Sequence, residues 1–232
     1  MKGLYIYHDM SQKENMAAIG VLKKVFSQHK LFDTIADEGC NLVNLQFKCS
    51  KNRLVRVFSY LFSNNTFDLS WLKNKKYDFV YIRRIIPNSR SAIKLLRLLR
   101  EQNPSCKIVY EIPTYPYDAE HRSLTSKVVL FIDYIWRKYL YKYIDRFATL
   151  TDDKKIFNCP TLKIANGVDC ASIPVCAKTE FDSNKINLIA VAQFSFWHGY
   201  ERVIEGLHNY PKDNVVLHLV GGDSPELKKY KL

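Results

Sequence analysis

Short apolar runs rich in β-forming residues alternate with amphipathic segments of helical period along this chain, and that alternation limits the fold more than any other feature. Gly3 to His8 (GLYIYH) is the first run. The polar loop Asp9 to Gly20 leads from it into Val21 to Asp37, where Val21, Leu22, Val25, Phe26, Leu31, Phe32 and Ile35 recur at helical spacing ahead of Gly39, a C-cap glycine. A strand Cys40 to Phe47, a basic helix Asn52 to Phe62, a strand Tyr77 to Ile82 and a helix Ser89 to Gln102 follow. Next come a strand Lys107 to Ile112, a helix Ser123 to Ile144 and a strand Arg146 to Thr151. Parallel strands need long crossovers, and crossovers cover both faces of a sheet, so the pattern predicts an α/β fold with a Rossmann-like parallel sheet. Ligands of such sheets bind at the carboxyl ends of the strands. Those ends are His8 to Gly20, Arg83 to Asn88, Glu111 to Glu120 and Thr151 to Lys155.

A second unit begins after the linker Asn166 to Asp182, with a strand Ile186 to Ala192, a helix Tyr200 to Tyr210, a strand Val215 to Val220 and then Gly221, Gly222 and Asp223. The sequence therefore divides into residues 1–169, a Rossmann-like domain, and residues 170–232, the opening of a second one.

Charge narrows the partners. With 35 Lys+Arg against 23 Asp+Glu the chain carries +12, and between Lys73 and Arg100 nine cations meet one acid, Asp78. Lys48, Lys51, Arg53 and Arg56 form a smaller cluster, and Arg122 to Arg146 carries a third. Basic stretches interleaved with apolar residues suit an anionic membrane face, a polyphosphate or a nucleic acid, and equally a solvated helix face beside a buried one. No RRM, KH, helix-turn-helix or zinc-finger signature accompanies them, so nucleic acid is not expected as a partner. The six cysteines, at 40, 49, 106, 159, 170 and 176, form no CxxC pair and read as reduced thiols, without metal or redox chemistry. No apolar run reaches the ~20 residues that span a bilayer, and Asp9 interrupts the start too soon for a signal peptide, so the expected location is cytoplasmic, peripheral at the inner face of the plasma membrane.

Two segments carry a resemblance: VAQFSFWHGYERVIEGL, Val191 to Leu207, and LHLVGGDSPEL, Leu217 to Leu227. Together with NGVD (Asn166 to Asp169), WHG (Trp197 to Gly199) and EIPT (Glu111 to Thr114) they make the chain resemble the family 4 retaining glycosyltransferases of capsule and O-antigen type. That family has two Rossmann-like domains, the GT-B architecture. The resemblance implies a metal-independent transferase without a resident cofactor, moving sugar from a nucleotide-diphosphate sugar to a saccharide or lipid-linked acceptor in cell-surface polysaccharide synthesis. The family's Glu-x7-Glu motif has no counterpart, and on this likeness the sequence stops inside the donor domain.

The same resemblance supplies candidate residues. A strand ending in a glycine loop ahead of a helix offers backbone N–H groups and a positive dipole end to a diphosphate. Gln193, His198, Gly199, Gly221 and Gly222 are the donor-phosphate candidates; Gln193 stands where the family has Arg, and His198 where it has Lys. Charge on the leaving group then rests on a protonated His198, on other cations or on the helix dipole. Trp197 and His198 also read as a packing loop. On the acceptor side the candidates are Gly20 and Lys23, which match the family's glycine loop before the first helix, and Glu111, Thr114 and Tyr117, since sugars are held by carboxylates and aromatic faces. Glu111 as a helix cap, with the tyrosines packed over the sheet, is the competing reading. No catalytic side chain is assigned, because relatives place a His after this strand and here His121 is ten residues beyond Glu111. A second functional reading is a non-catalytic acceptor- or membrane-binding remnant, or half of a split enzyme.

Overall fold

The computed structural model describes residues 1–8, 16–46, 52–63, 66–85, 87–118, 124–167, 184–192, 198–210 and 214–221. The chain forms two compact units, Met1–Glu14 with Ala18–Asp169, and Asn15–Ala17 with Cys170–Leu232. In the first, β1 (Gly3–Tyr7), β2 (Cys40–Asn44), β3 (Phe79–Arg83), β4 (Lys107–Ile112), β5 (Arg146–Thr149), β6 (Lys155–Ile156) and β7 (Cys159–Lys163) make one seven-stranded sheet in the order β2-β1-β3-β4-β5-β7-β6. Every pairing is parallel except that of β6 with β7. The expected Rossmann-like α/β sheet is present.

The strand order explains where the helices go. From β1 the chain moves outward to β2, then returns across β1 to β3 and continues the other way. Right-handed crossovers in opposite directions lie on opposite faces. Accordingly α1 (Met16–Ile35) packs Val25 and Phe32 against Tyr5, Tyr81 and Val109, while α3 (Arg90–Gln102) packs Ala92, Leu95, Leu96 and Leu99 against Leu4, Val80, Ile108 and Tyr110 on the other side. α4 (Leu124–Arg137) joins α3 on that side through Leu130 and Trp136, and α2 (Arg53–Phe62) lies against both α3 and α4. Reversal of strand order between β1 and β3 places the ligand-binding crevice of such a sheet beyond their carboxyl ends.

Local chemistry sets the boundaries. Asn52 Oδ1 accepts from Leu54 N at 2.9 Å and Val55 N at 3.5 Å, capping α2, and Ser89 Oγ accepts from Ala92 N at 3.4 Å, capping α3. Gly39, at φ +81°, makes the left-handed turn out of α1 and accepts from Gly3 N at 3.3 Å. Strand ends shift from the sequence reading by up to three residues, as at β2, and the two largest differences are in helices. Gly20 lies within α1 rather than in a loop ahead of it: Met16, Ala17 and Ala18 are strong helix formers and start the helix before the glycine. The expected long helix Ser123 to Ile144 ends at Arg137, where Tyr139 N bonds to Trp136 O and Tyr143 N to Leu140 O. That tighter 3-10 winding turns Leu140 and Ile144 into the core. The hairpin of β6 and β7 was not foreseen.

Arg100 also takes an unexpected place. Its guanidinium donates to the carbonyls of Tyr143 (2.9 Å), Cys106 (2.7 Å) and Pro104 (3.3 Å) and to Asp145 Oδ2 (2.8 Å), while Asp145 Oδ2 accepts from Ile108 N at 2.7 Å. It ties α3 to the entries of β4 and β5. Burial works against ionisation of Asp145, but the Ile108 amide and Arg100 outweigh it and hold the carboxyl below its ordinary range.

In the second unit β8 (Ile186–Val191) pairs in parallel with β9 (Val215–Val220), and α5 (Tyr200–His208) connects them. Ile189 and Val191 are 70% and 72% exposed, so the described strands bury little. Among the described residues no helix is long and apolar enough to cross a membrane.

Arg100→Ala should lower stability by about 2–3 kcal/mol in urea unfolding, against about 0.5 kcal/mol or less for the exposed Arg97→Ala. A depressed native carboxyl adds stability above its unfolded value that is lost as pH falls through the native one. Wild-type stability should therefore fall below about pH 4, and in Arg100→Ala that acid-dependent loss should be smaller.

Candidate functional site

The pleat of the first unit's sheet sorts the polar residues near its carboxyl edge onto two faces. On the α1 face Glu111 is 1% exposed; its Oε1 accepts from Arg83 Nη1 at 2.8 Å and its Oε2 from the Tyr81 hydroxyl at 2.8 Å. Tyr5 donates to Gln28 Oε1 at 2.8 Å, and Lys24 donates to Asn166 Oδ1. Burial, then the Glu111 charge, raises the pKa of both Tyr5 and Tyr81, so both hydroxyls stay protonated donors. Burial, then Arg83, lowers that of Lys24.

The opposite face centres on Asp133 of α4. Its Oδ1 accepts from the backbone N and the Nδ2 of Asn88, both at 2.8 Å, and its Oδ2 from the Tyr117 hydroxyl at 2.6 Å. Tyr110 donates to Asn88 Oδ1 at 2.7 Å and accepts from Ile85 N at 2.8 Å. Two guanidiniums flank the Tyr117 ring, Arg84 at 3.5 Å and Arg137 at 5.4 Å from its centroid. Arg137 pairs with Asp118 at 2.7 Å, whereas the Nε of the nearly buried Arg84 has no hydrogen-bond partner.

The acceptor-side candidates are therefore spread out. Glu111 and Tyr117 are each 1% exposed, on opposite faces of the sheet, with their polar atoms engaged internally. Thr114 and Lys23 are exposed, and Gly20 lies inside α1. On the donor side, Gly199 takes φ +65° at the head of α5, where a β-carbon would meet no atom within 4 Å, so the left-handed backbone rather than crowding calls for glycine. His198 is exposed, its ring 5.6 Å from that of Tyr200, and Gly221 follows β9 directly. Gln193 and Gly222 lie outside the described residues.

Sequence reasoning missed Arg83, Arg84, Asn88, Asp133 and Arg137 as members of these networks. The signal was present for the arginine pair, which directly follows an apolar β run at a strand's carboxyl end, but it was absorbed into the wider count of cations. No protein-family model matches the chain, and no curated protein matches it.

Glu111→Ala should cost about 3–5 kcal/mol in denaturant unfolding, because Arg83, 13% exposed, would keep its charge without a counterion. Thr114→Ala should change stability by about 0.5 kcal/mol or less, since the surface side chain leaves nothing buried unpaired.

Proposed function

We propose that this chain is a retaining, metal-independent glycosyltransferase of GT-B type. In this reading it moves a sugar from a nucleotide-diphosphate sugar to a saccharide or lipid-linked acceptor at the cytoplasmic side of a membrane. The observation that carries the reading is the β8–α5–β9 unit: a parallel pair joined by a helix, with Gly199 in the left-handed conformation between His198 and the first turn of α5. As the glycosidic bond to the diphosphate breaks, negative charge develops on the departing oxygen. The positive end of α5 and the His198 imidazole are the groups that would meet it there. Glu201 in the same turn opposes an anion, so the dipole alone would be a weak partner and a contact from His198 would add to it.

On the acceptor side, Thr114 and Lys23 are the exposed candidates. Glu111 and Tyr117 are buried, and they hold Arg83 and Arg84 at the carboxyl end of β3. A carboxylate so engaged is a positioning group, and an acceptor hydroxyl would meet the surface residues around it.

Titration calorimetry of the whole chain with UDP, GDP and their sugar conjugates tests the reading. Saturable binding of one nucleotide is expected, weakened about tenfold or more in His198→Ala with unchanged melting temperature, as for loss of one charge-assisted contact. Absence of binding by a folded, monodisperse sample would overturn the transferase and favour an acceptor-binding module.

A further inference from the structure

We infer that the head of α3 is a carboxylate-binding subsite whose charge is supplied by Arg84. Arg84 continues the alternation of Val80 and Ile82, so it leaves the end of β3 on the α3 side of the sheet. It is 9% exposed, and its backbone N–H is held by Glu111 O at 3.0 Å. Its guanidinium lies 3.5 Å from the centre of the Tyr117 ring, and a guanidinium stacked on a ring keeps its N–H edge for a ligand. Among the described residues the Nε has no hydrogen-bond partner and no carboxylate pairs with Arg84. A cation so far out of water is costly without an acceptor, and an acceptor is what this one lacks.

The first turn of α3 belongs to the same cluster. The Tyr117 hydroxyl donates to Asp133, Asp133 accepts from Asn88, and Asn88 directly precedes the cap Ser89. Ser89 Oγ takes the N–H of Ala92, but among the described residues no acceptor meets the N–H groups of Arg90 and the fully buried Ser91. Thr66, also buried, donates its N–H to Ser91 Oγ at 3.0 Å, while its own Oγ1 is without a partner. The guanidinium and the helix N–H groups are donors only, and the hydroxyl can donate. Such a set selects an acceptor, and Arg84 with the positive end of the helix selects a negative one.

Charge fixes its class. Arg137 is already answered by Asp118 at 2.7 Å and Asp133 at 3.8 Å, and Arg83 by Glu111 at 2.8 Å. One positive charge, that of Arg84, is left over in the cluster. A single unit suits a carboxylate better than a phosphate dianion, and two oxygens in a plane match the edge of a guanidinium. The carrier of that carboxylate rests on the transferase reading above: an acceptor saccharide with a uronic-acid residue would set its acid here, beside the exposed Thr114 that follows the neighbouring β4.

Titration calorimetry of the whole chain, without nucleotide, against glucuronate, glucose, acetate and inorganic phosphate is the test. Glucuronate should bind saturably, glucose at least about tenfold more weakly, and phosphate no more tightly than glucuronate. Arg84→Gln should weaken glucuronate by at least about tenfold, and Arg84→Lys, which keeps the charge without the planar fork, by less. Thr66→Val removes a hydroxyl that has no partner inside the protein, so it should keep the melting temperature and still weaken glucuronate about threefold or more. That variant decides the matter if the Arg84 variants do not fold. The exposed Arg97→Gln should stay within about twofold. No glucuronate binding, equal binding of glucose, tighter binding of phosphate, or unchanged affinity in the folded variants would overturn the subsite. Acetate binding as tightly as glucuronate would support the subsite and remove the sugar as its carrier. Glucuronate binding without nucleotide binding would leave the subsite intact and sink only the transferase, and nucleotide binding without glucuronate binding would do the reverse.

Discussion

Tyrosines buried in the middle strands of a parallel sheet oblige the protein to bury partners for their hydroxyls. Tyr5, Tyr81 and Tyr110 sit in β1, β3 and β4, and Tyr117 follows β4; all four are buried. Gln28, Glu111, Asn88 and Asp133 accept from them at 2.6–2.8 Å. Two of those acceptors are carboxylates, and each carboxylate in turn needs cations or amides. Arg83 answers Glu111 on one face; the amides of Asn88 answer Asp133 on the other. The polar character of the sheet's carboxyl edge is thus partly a consequence of how its core is built. Any ligand there meets a rim whose charges are already ordered by the tyrosines beneath.

The basic character of the chain resolves into separate jobs for the same reason. Arg83 neutralises a buried carboxylate, Arg84 and Arg137 stack on Tyr117, and Arg100 closes open carbonyls at the opposite end of the sheet. On the outer faces of α2 and α4 what is left is exposed hydrocarbon with cations and no exposed acid. A formal charge summed over sequence mixes these populations; only burial separates them.

How much could be read from residues alone follows from what each element depends on. β4 and β9 have the predicted bounds, because continuous β-forming runs flanked by breakers define them locally. The end of α4 was misjudged because Leu140 and Ile144 continue a helical spacing that a 3-10 turn also satisfies. The β6–β7 hairpin escaped because its turn puts Phe157 and Asn158 at positive φ without a glycine, and Pro160 stands in the strand that follows. Glu111 and Tyr117 were found at the correct strand end, yet their partners, Tyr81 and Asp133, lie 30 and 16 residues away in sequence. Residue type announces a polar group; it does not announce which distant neighbour claims it. Gly199 was singled out by the resemblance for a phosphate role; its left-handed turn, which needs glycine whatever surrounds it, is a backbone property that the sequence reading did not draw.

The three described cysteines of the first unit lie in or beside different strands, Cys40 in β2, Cys106 just before β4 and Cys159 in β7. Burial raises all three thiols, Cys40 and Cys106 to about 11, so in the native sheet they are both shielded and protonated. Each becomes a reactive thiolate only when its own part of the sheet opens. With Cys49, Cys170 and Cys176 replaced, labelling rates at the three would act as independent clocks. They would separate fraying of the outer β2 from opening beside the central β4, and would tell whether the sheet unfolds as one cooperative body or peels from its edges.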